Sequence, residues 1–121
     1  MMSRKLVKST GTILINRNAE WVFDFFCNPG NDNLWRTEIN QSIINGPLEP
    51  GTKIFEYSDV SKKASNNLTE LKCVQFEKNK LAIFETNENT PFYIRNQRHV
   101  KAISDNSTEI IYNLSDRKST R

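Results

Sequence analysis

Apolar and polar residues alternate with a period of two along most of the chain. This alternation, bounded by turn-forming residues, predicts β-strands. The predicted strands are 7–16, 38–44, 52–60, 68–77, 81–86, 92–103 and 108–114. Short segments rich in Asn, Gly, Pro, Ser and Asp separate them, and these are typical turn compositions.

One stretch, 19–27, has a helical period instead. Its apolar residues recur at the spacing of one helix face. They are Ala19, Val22, Phe23 and Phe26. Asn18 is predicted to cap the helix, and Asn28-Pro29-Gly30 to end it. Trp21 and Phe25 form a second apolar pair on a different face of the same helix.

The predicted order is one strand, one helix and then strands joined by short turns. This order indicates an α+β fold built on an antiparallel meander. A short helix with a broad aromatic face must bury it, and the concave side of a curved sheet is the surface available. The length of 121 residues favours one domain, with an ordered core over 7–114 and a tail over 115–121.

Composition excludes several classes of function. The net charge of +3 comes without a dense Lys/Arg stripe, so no nucleic-acid partner is expected. No signal-peptide pattern or segment of membrane-spanning length is present, which favours a soluble cytoplasmic protein without stable membrane insertion. The basic residues near the two ends are interpreted as solvated tails; they are Arg4, Lys5, Lys8, Arg117, Lys118 and Arg121.

Candidate catalytic chemistry is sparse. Cys27 and Cys73 are expected to be reduced, and a disulfide between them is the open alternative. With one histidine, His99, a Cys/His zinc site lacks ligands, so neither a metal nor a cofactor is expected. No nucleophile–base arrangement or glycine-rich phosphate loop can be placed.

Four motifs in order resemble the START-like (SRPBCC) superfamily, which includes polyketide cyclase/dehydrase and lipid-transport proteins. ILINRNAEWVFDFFCNPGNDNLW, 13–35, resembles the family's first strand, its Val-Phe-Asp helix and a following Trp. GPLEPGTKI (46–54), VQFEKNKLAIF (74–84) and STEIIYNL (107–114) resemble its later turns and strands. The resemblance implies a helix-grip (START/Bet v 1-like) fold, in which a curved antiparallel sheet wraps around a long C-terminal helix and encloses an apolar cavity.

That C-terminal helix is predicted to be missing, because no amphipathic segment follows Leu114. An open concave face favours self-association, so we expect a homodimer or a higher assembly. Trp21 is expected at that contact or at a separate one. The alternative is that loops such as 59–67 fold over the open face.

The strand 92–103 carries two polar residues, Asn96 and Arg98, on its apolar face, and places His99 on the opposite, solvated face. A buried Arg98 requires a partner or a ligand anion. The alternative is that it reaches the rim or pairs with Glu70 or Glu85.

The leading hypothesis is the binding of a small hydrophobic ligand, such as a lipid or an aromatic or polyketide-like molecule. The alternatives are a cyclase- or dehydratase-type enzyme and a protein-interaction module with a vestigial cavity. Trp35 either lines the cavity mouth, as the resemblance suggests, or fastens its loop to the sheet. The expected ligand-binding residues are Trp35, Phe55, Tyr57, Phe84, Phe92, Ile94, Asn96, Arg98 and Tyr112.

Overall fold

The computed structural model describes residues 4–59, 66–86 and 92–119, which form seven strands, one α-helix and one 3₁₀ helix. The strands are β1 Arg4–Ile15, β2 Ile39–Asn45, β3 Lys53–Ser58, β4 Asn67–Glu77, β5 Leu81–Glu85, β6 Phe92–Ser104 and β7 Ser107–Ser119. Between β1 and β2 lie the helix α1, Ala19–Phe26, and the 3₁₀ helix, Pro29–Leu34.

All seven strands form one curled antiparallel sheet in the order β1-β7-β6-β5-β4-β3-β2. From β2 to β7, each strand pairs with its neighbour in sequence, as expected for a meander. β1 instead pairs with β7, so β1 and β2 are the two edges of the sheet. The predicted α+β helix-grip architecture is confirmed.

The helix α1 forms where the sequence predicts it. The Asn18 side chain accepts a hydrogen bond of 2.8 Å from the Trp21 amide and so caps the first turn. Helical geometry ends at Cys27, and the Asn28 side chain then accepts from the Gly30 amide to start the 3₁₀ helix.

The core lies between α1 and the concave face of the sheet. Phe23 is 3% exposed and meets Phe76 edge-on, with ring centroids 5.3 Å apart. Cys27 and Cys73 are both buried and free, so they form no disulfide. Burial raises the pKa of Cys27 to about 12, and its thiol therefore stays protonated at neutral pH. The other buried core residues are Val22, Phe26, Ile54, Leu71, Ala82, Phe84, Val100 and Ile110.

The predicted tail and basic ends need correction. β7 continues past Leu114 to Ser119, and β1 begins at Arg4, because their ladder extends to the pair Arg4–Ser119. Backbone hydrogen bonds along such a ladder do not require apolar side chains. Arg4, Lys5, Lys8, Arg117 and Lys118 therefore belong to strands, while Arg121 and most of the loop 59–67 lie outside the described residues. No helix follows β7 in the described part of the chain.

Candidate functional site

A cavity of about 410 Å³ lies between α1 and the β1–β7 edge of the sheet. Its wall is almost wholly apolar and includes the side chains of Trp21, Val22, Phe25 and Phe26 from α1. The cavity opens to solvent. Two of its lining residues, Ile13 and Trp21, are 60% and 44% exposed.

The sheet side of the cavity follows from strand alternation. Gly11, Ile13 and Ile15 of β1 share one face, and Gly11 and Ile13 pair directly with Tyr112 and Ile110 of β7. A Cβ atom at Gly11 would meet no other atom within 4 Å, so the glycine leaves open space at this end of the wall.

Trp35 closes the cavity from the loop side. Its ring centroid lies 5.2 Å from that of Phe26 and 5.3 Å from that of Tyr112. Trp35 therefore lines the cavity and also holds its loop against β7. Its indole Nε1 is buried and has no hydrogen-bond partner among the described residues.

Behind the aromatic wall lies a buried ion pair between Asp32 of the 3₁₀ helix and Arg98 of β6. The guanidinium of Arg98 donates to both carboxylate oxygens, at 2.7 and 2.5 Å, and to the Phe26 carbonyl at 2.9 Å. Neither residue is exposed to solvent. Burial alone would lower the pKa of Arg98, but attraction to Asp32 outweighs it and the net direction is upward.

Arg36 extends this pair into a network. It donates to Asp32 at 3.1 Å, to Glu56 of β3 at 2.8 Å and to Glu38 at 3.1 Å. Burial raises the pKa of Glu56, and the charge of Arg36 partly opposes that rise. The network thus joins the 3₁₀ helix to both β3 and β6 through paired charges.

Asn96 connects the network to the cavity wall. Its side-chain oxygen accepts from Arg98 Nε at 2.9 Å, and its amide nitrogen donates to the Tyr112 hydroxyl at 3.1 Å. Burial raises the pKa of Tyr112, so its phenol stays protonated at neutral pH. The prediction that Asn96 and Arg98 face the concave side is confirmed.

Several predicted ligand residues lie elsewhere, and two assignments need correction. Arg98 does not line the cavity, and its partner is Asp32 rather than Glu70, Glu85 or a ligand. Phe55 and Tyr57 are half-buried on the opposite face of β3, because Ile54 and Glu56 take the inner face.

The remaining predicted residues have different positions. Phe84 is 2% exposed and lies in the core with the guanidinium carbon of Arg98 5.2 Å from its ring centroid. Ile94 packs against the core, and Phe92 begins β6. His99 lies on the outer face of β6, as predicted from the alternation, but it is half-buried rather than solvated. Trp35 and Tyr112 are the two predicted residues that line the cavity.

Neither a metal-binding cluster nor a membrane-spanning helix is found among the described residues. No group of His, Cys, Asp and Glu side chains there is arranged to hold a metal ion. Within the same residues, neither helix has the length and apolar character needed to cross a membrane.

Solved structures share this architecture at low sequence identity. A START superfamily protein from Mycobacterium smegmatis superposes with a TM-score of 0.73 at 12% identity, over 94% of this chain and 78% of its own. The Zhui aromatase/cyclase from Streptomyces sp. R1128 gives 0.71 at 9%, over 97% and 70%. Norcoclaurine synthase from Thalictrum flavum, in complex with dopamine and hydroxybenzaldehyde, gives 0.66 at 13%, over 97% and 71%.

These similarities show that the chain has a START-like fold of the Bet v 1 type. No family model and no curated protein matches its sequence.

Proposed function

We propose that the protein binds a small hydrophobic ligand in the cavity between α1 and the β1–β7 edge. The observation that carries this proposal is the apolar wall, which presents five aromatic side chains around about 410 Å³. These are Trp21, Phe25, Phe26, Trp35 and Tyr112. Small-molecule sites have this form, and a ligand that removes such a surface from water gains free energy in proportion to the area covered.

Aromatic and polyketide-like molecules suit this wall best. Flat rings pack edge-on or offset against aromatic side chains, and Trp35 and Tyr112 already meet at an interplanar angle of 88°. Two structural neighbours support an aromatic or polyketide-like ligand. The norcoclaurine synthase structure contains two small aromatic molecules, and Zhui is an aromatase/cyclase.

The polar groups near the cavity favour binding without catalysis, because they are already engaged with one another. The side chains of Asn96, Arg98 and Asp32 bond to one another or to Tyr112 behind the wall. The alternative is a cyclase- or dehydratase-type enzyme, and it rests on Tyr112. Its hydroxyl accepts from Asn96 and retains a proton that it could donate to a ligand carbonyl. Formation of a product from an aromatic carbonyl compound would favour the enzyme.

Filling the cavity tests the proposal directly. Gly11→Phe is expected to weaken binding of the neutral dye N-phenylnaphthylamine by about tenfold or more. The new ring occupies part of the cavity, and accommodating both the ring and the dye costs about 1–3 kcal/mol. The new side chain has room at its base, since a Cβ at Gly11 meets nothing within 4 Å beyond its chain neighbours, and Gly11 lines the cavity. Fluorescence titration with the dye measures the change.

Thr12→Phe is the matched control, because it places the same side chain on the outer face of β1. This variant is expected to bind the dye as the unmodified protein does. Absence of saturable binding to the unmodified protein, or equal binding by Gly11→Phe, would contradict the proposal.

We further propose that two copies associate through the apolar rim of the cavity, defined here by Ile13 and Trp21. Both are exposed and adjoin the open cavity, and Trp21 stacks on Phe25 with ring centroids 5.6 Å apart. Sedimentation velocity at micromolar concentration is expected to show a dimer that Trp21→Ser converts to a monomer. Leu68→Ser removes another exposed apolar residue, from β4, and should leave the dimer intact. A monomeric unmodified protein would refute this interface.

A further inference from the structure

Arg17 is the charged residue among those that line the cavity. It lies between β1 and the N-cap of α1, and its guanidinium carbon lies 4.6 Å from the ring centroid of Trp21. Its backbone carbonyl accepts a hydrogen bond of 2.8 Å from the hydroxyl of Thr108 on β7. The side chain therefore starts from a fixed point and extends across an aromatic face at the rim.

The buried charges behind the cavity wall are already paired. Arg98 is bonded to Asp32, and Arg36 shares Asp32 and Glu56. By contrast, no carboxylate among the described residues lies within ion-pair distance of Arg17. The cavity thus presents one uncompensated positive charge at its mouth and an apolar interior behind it.

We propose that the ligand is an amphipathic anion, with a hydrophobic body in the cavity and a carboxylate or similar oxyanion held by Arg17. This inference rests on the proposed ligand-binding function. A guanidinium offers planar donors that match a carboxylate, and its contact with the Trp21 ring restricts the side chain before the ligand arrives. Arg17 is exposed to solvent, so we expect a moderate, salt-sensitive attraction between its guanidinium and the anion.

The same geometry disfavours ammonium ligands. Aromatic walls alone attract cations, and the five rings of this cavity would do so. Arg17 reverses that preference, since an amine at the mouth would meet a like charge, and no carboxylate in the described part of the chain forms an ion pair with Arg17 to offset it. The preference for an anion therefore depends on one side chain.

Two dyes with the same aromatic skeleton test this inference. Anilinonaphthalene sulfonate (ANS) carries an anionic group, and N-phenylnaphthylamine lacks it. Arg17→Gln is expected to weaken ANS binding roughly five- to tenfold, as for a partly screened, charge-assisted hydrogen bond, and to leave N-phenylnaphthylamine binding within about twofold. Arg17→Lys, which keeps the charge without the planar fork, is expected to retain part of the ANS affinity.

The control removes a positive charge elsewhere. Lys101 is exposed on the outer face of β6. Lys101→Gln is therefore expected to leave the affinities for both dyes unchanged. Added sodium chloride should weaken ANS binding to the unmodified protein without weakening that of N-phenylnaphthylamine, because salt screens the ion pair.

The outcomes separate this inference from the proposed function. If Arg17→Gln leaves ANS affinity unchanged, or weakens both dyes equally, the anion inference is overturned while dye binding supports the cavity as a ligand site. If neither dye binds the unmodified protein, the proposed function fails and the anion inference falls with it. A selective loss for ANS that Lys101→Gln does not reproduce supports the inference.

Discussion

Asp32→Asn is expected to lower the free energy of unfolding by about 3–5 kcal/mol, because it leaves the buried Arg98 without an opposite charge. The Asp32 carboxylate accepts three hydrogen bonds, two from Arg98 and one from Arg36. Asp32 and Arg98 are fully buried, so water does not replace the lost charge. Urea unfolding followed by circular dichroism measures the difference.

Two controls make the comparison specific. Asp24→Asn removes a carboxylate that lies 3.5 Å from Lys78, with both side chains more than half exposed, and it should cost less than about 1 kcal/mol. The double substitution Asp32→Asn/Arg98→Met should be less damaging than the sum of the two single substitutions, since it removes both buried charges. Additive losses, or equal losses at Asp24 and Asp32, would show that the pair does not act as a unit.

Phe23→Ala is expected to destabilise the protein by about 3–5 kcal/mol through the cavity that it leaves in the core. Phe23 is 3% exposed and packs on Phe76, so the surrounding side chains have little freedom to fill the space. The same urea experiment applies. A loss under about 1 kcal/mol would mean that α1 does not anchor to the sheet through this ring.

Phe25→Ala on the same helix is the matched comparison. Phe25 is half-buried and lines the ligand cavity, whereas Phe23 does not. Its removal is expected to cost less stability than Phe23→Ala but to weaken dye binding more. The reverse order would assign the ligand to the core side of α1.

The sequence predicts the order of elements well because those signals are local. The cap at Asn18, the apolar face containing Phe23, and the Pro29 turn all act within a few residues of one another. Turn residues set the hairpins in the same way; Gly51, for example, has a φ of +101°, which residues with a Cβ rarely adopt.

The alternation pattern assigns the wrong side chains of β3 to the interior, because the interaction that decides the inner face is not local in sequence. Phe55 and Tyr57 are the more apolar pair, so alternation alone favours them for the interior. The structure instead buries Glu56, which pairs with Arg36. Burying a glutamate is costly unless a partner such as the Arg36 guanidinium meets it, and nothing in the strand itself signals that partner.

The partner of Arg98 was missed for the same reason. Asp32 lies 66 residues away in a polar stretch that the pattern assigns to a loop or a short helical turn. The β1 side of the cavity is absent from the predicted ligand residues, although Gly11, Ile13 and Ile15 share a strand face. Its position opposite α1 depends on the pairing of β1 with β7, which joins the first and last strands.

The placement of the tryptophans gives the protein an optical reporter of its own. The chain contains two tryptophans, and both lie in the wall of the cavity between α1 and the β1–β7 edge. Trp35 is packed between Phe26 and Tyr112 and should emit at short wavelength, whereas the 44% exposed Trp21 should emit nearer the wavelength of indole in water whenever no second copy covers the rim. Replacing either one with phenylalanine leaves a single emitter at a known depth. Quenching of each in turn then measures how far into the cavity an unlabelled molecule has entered.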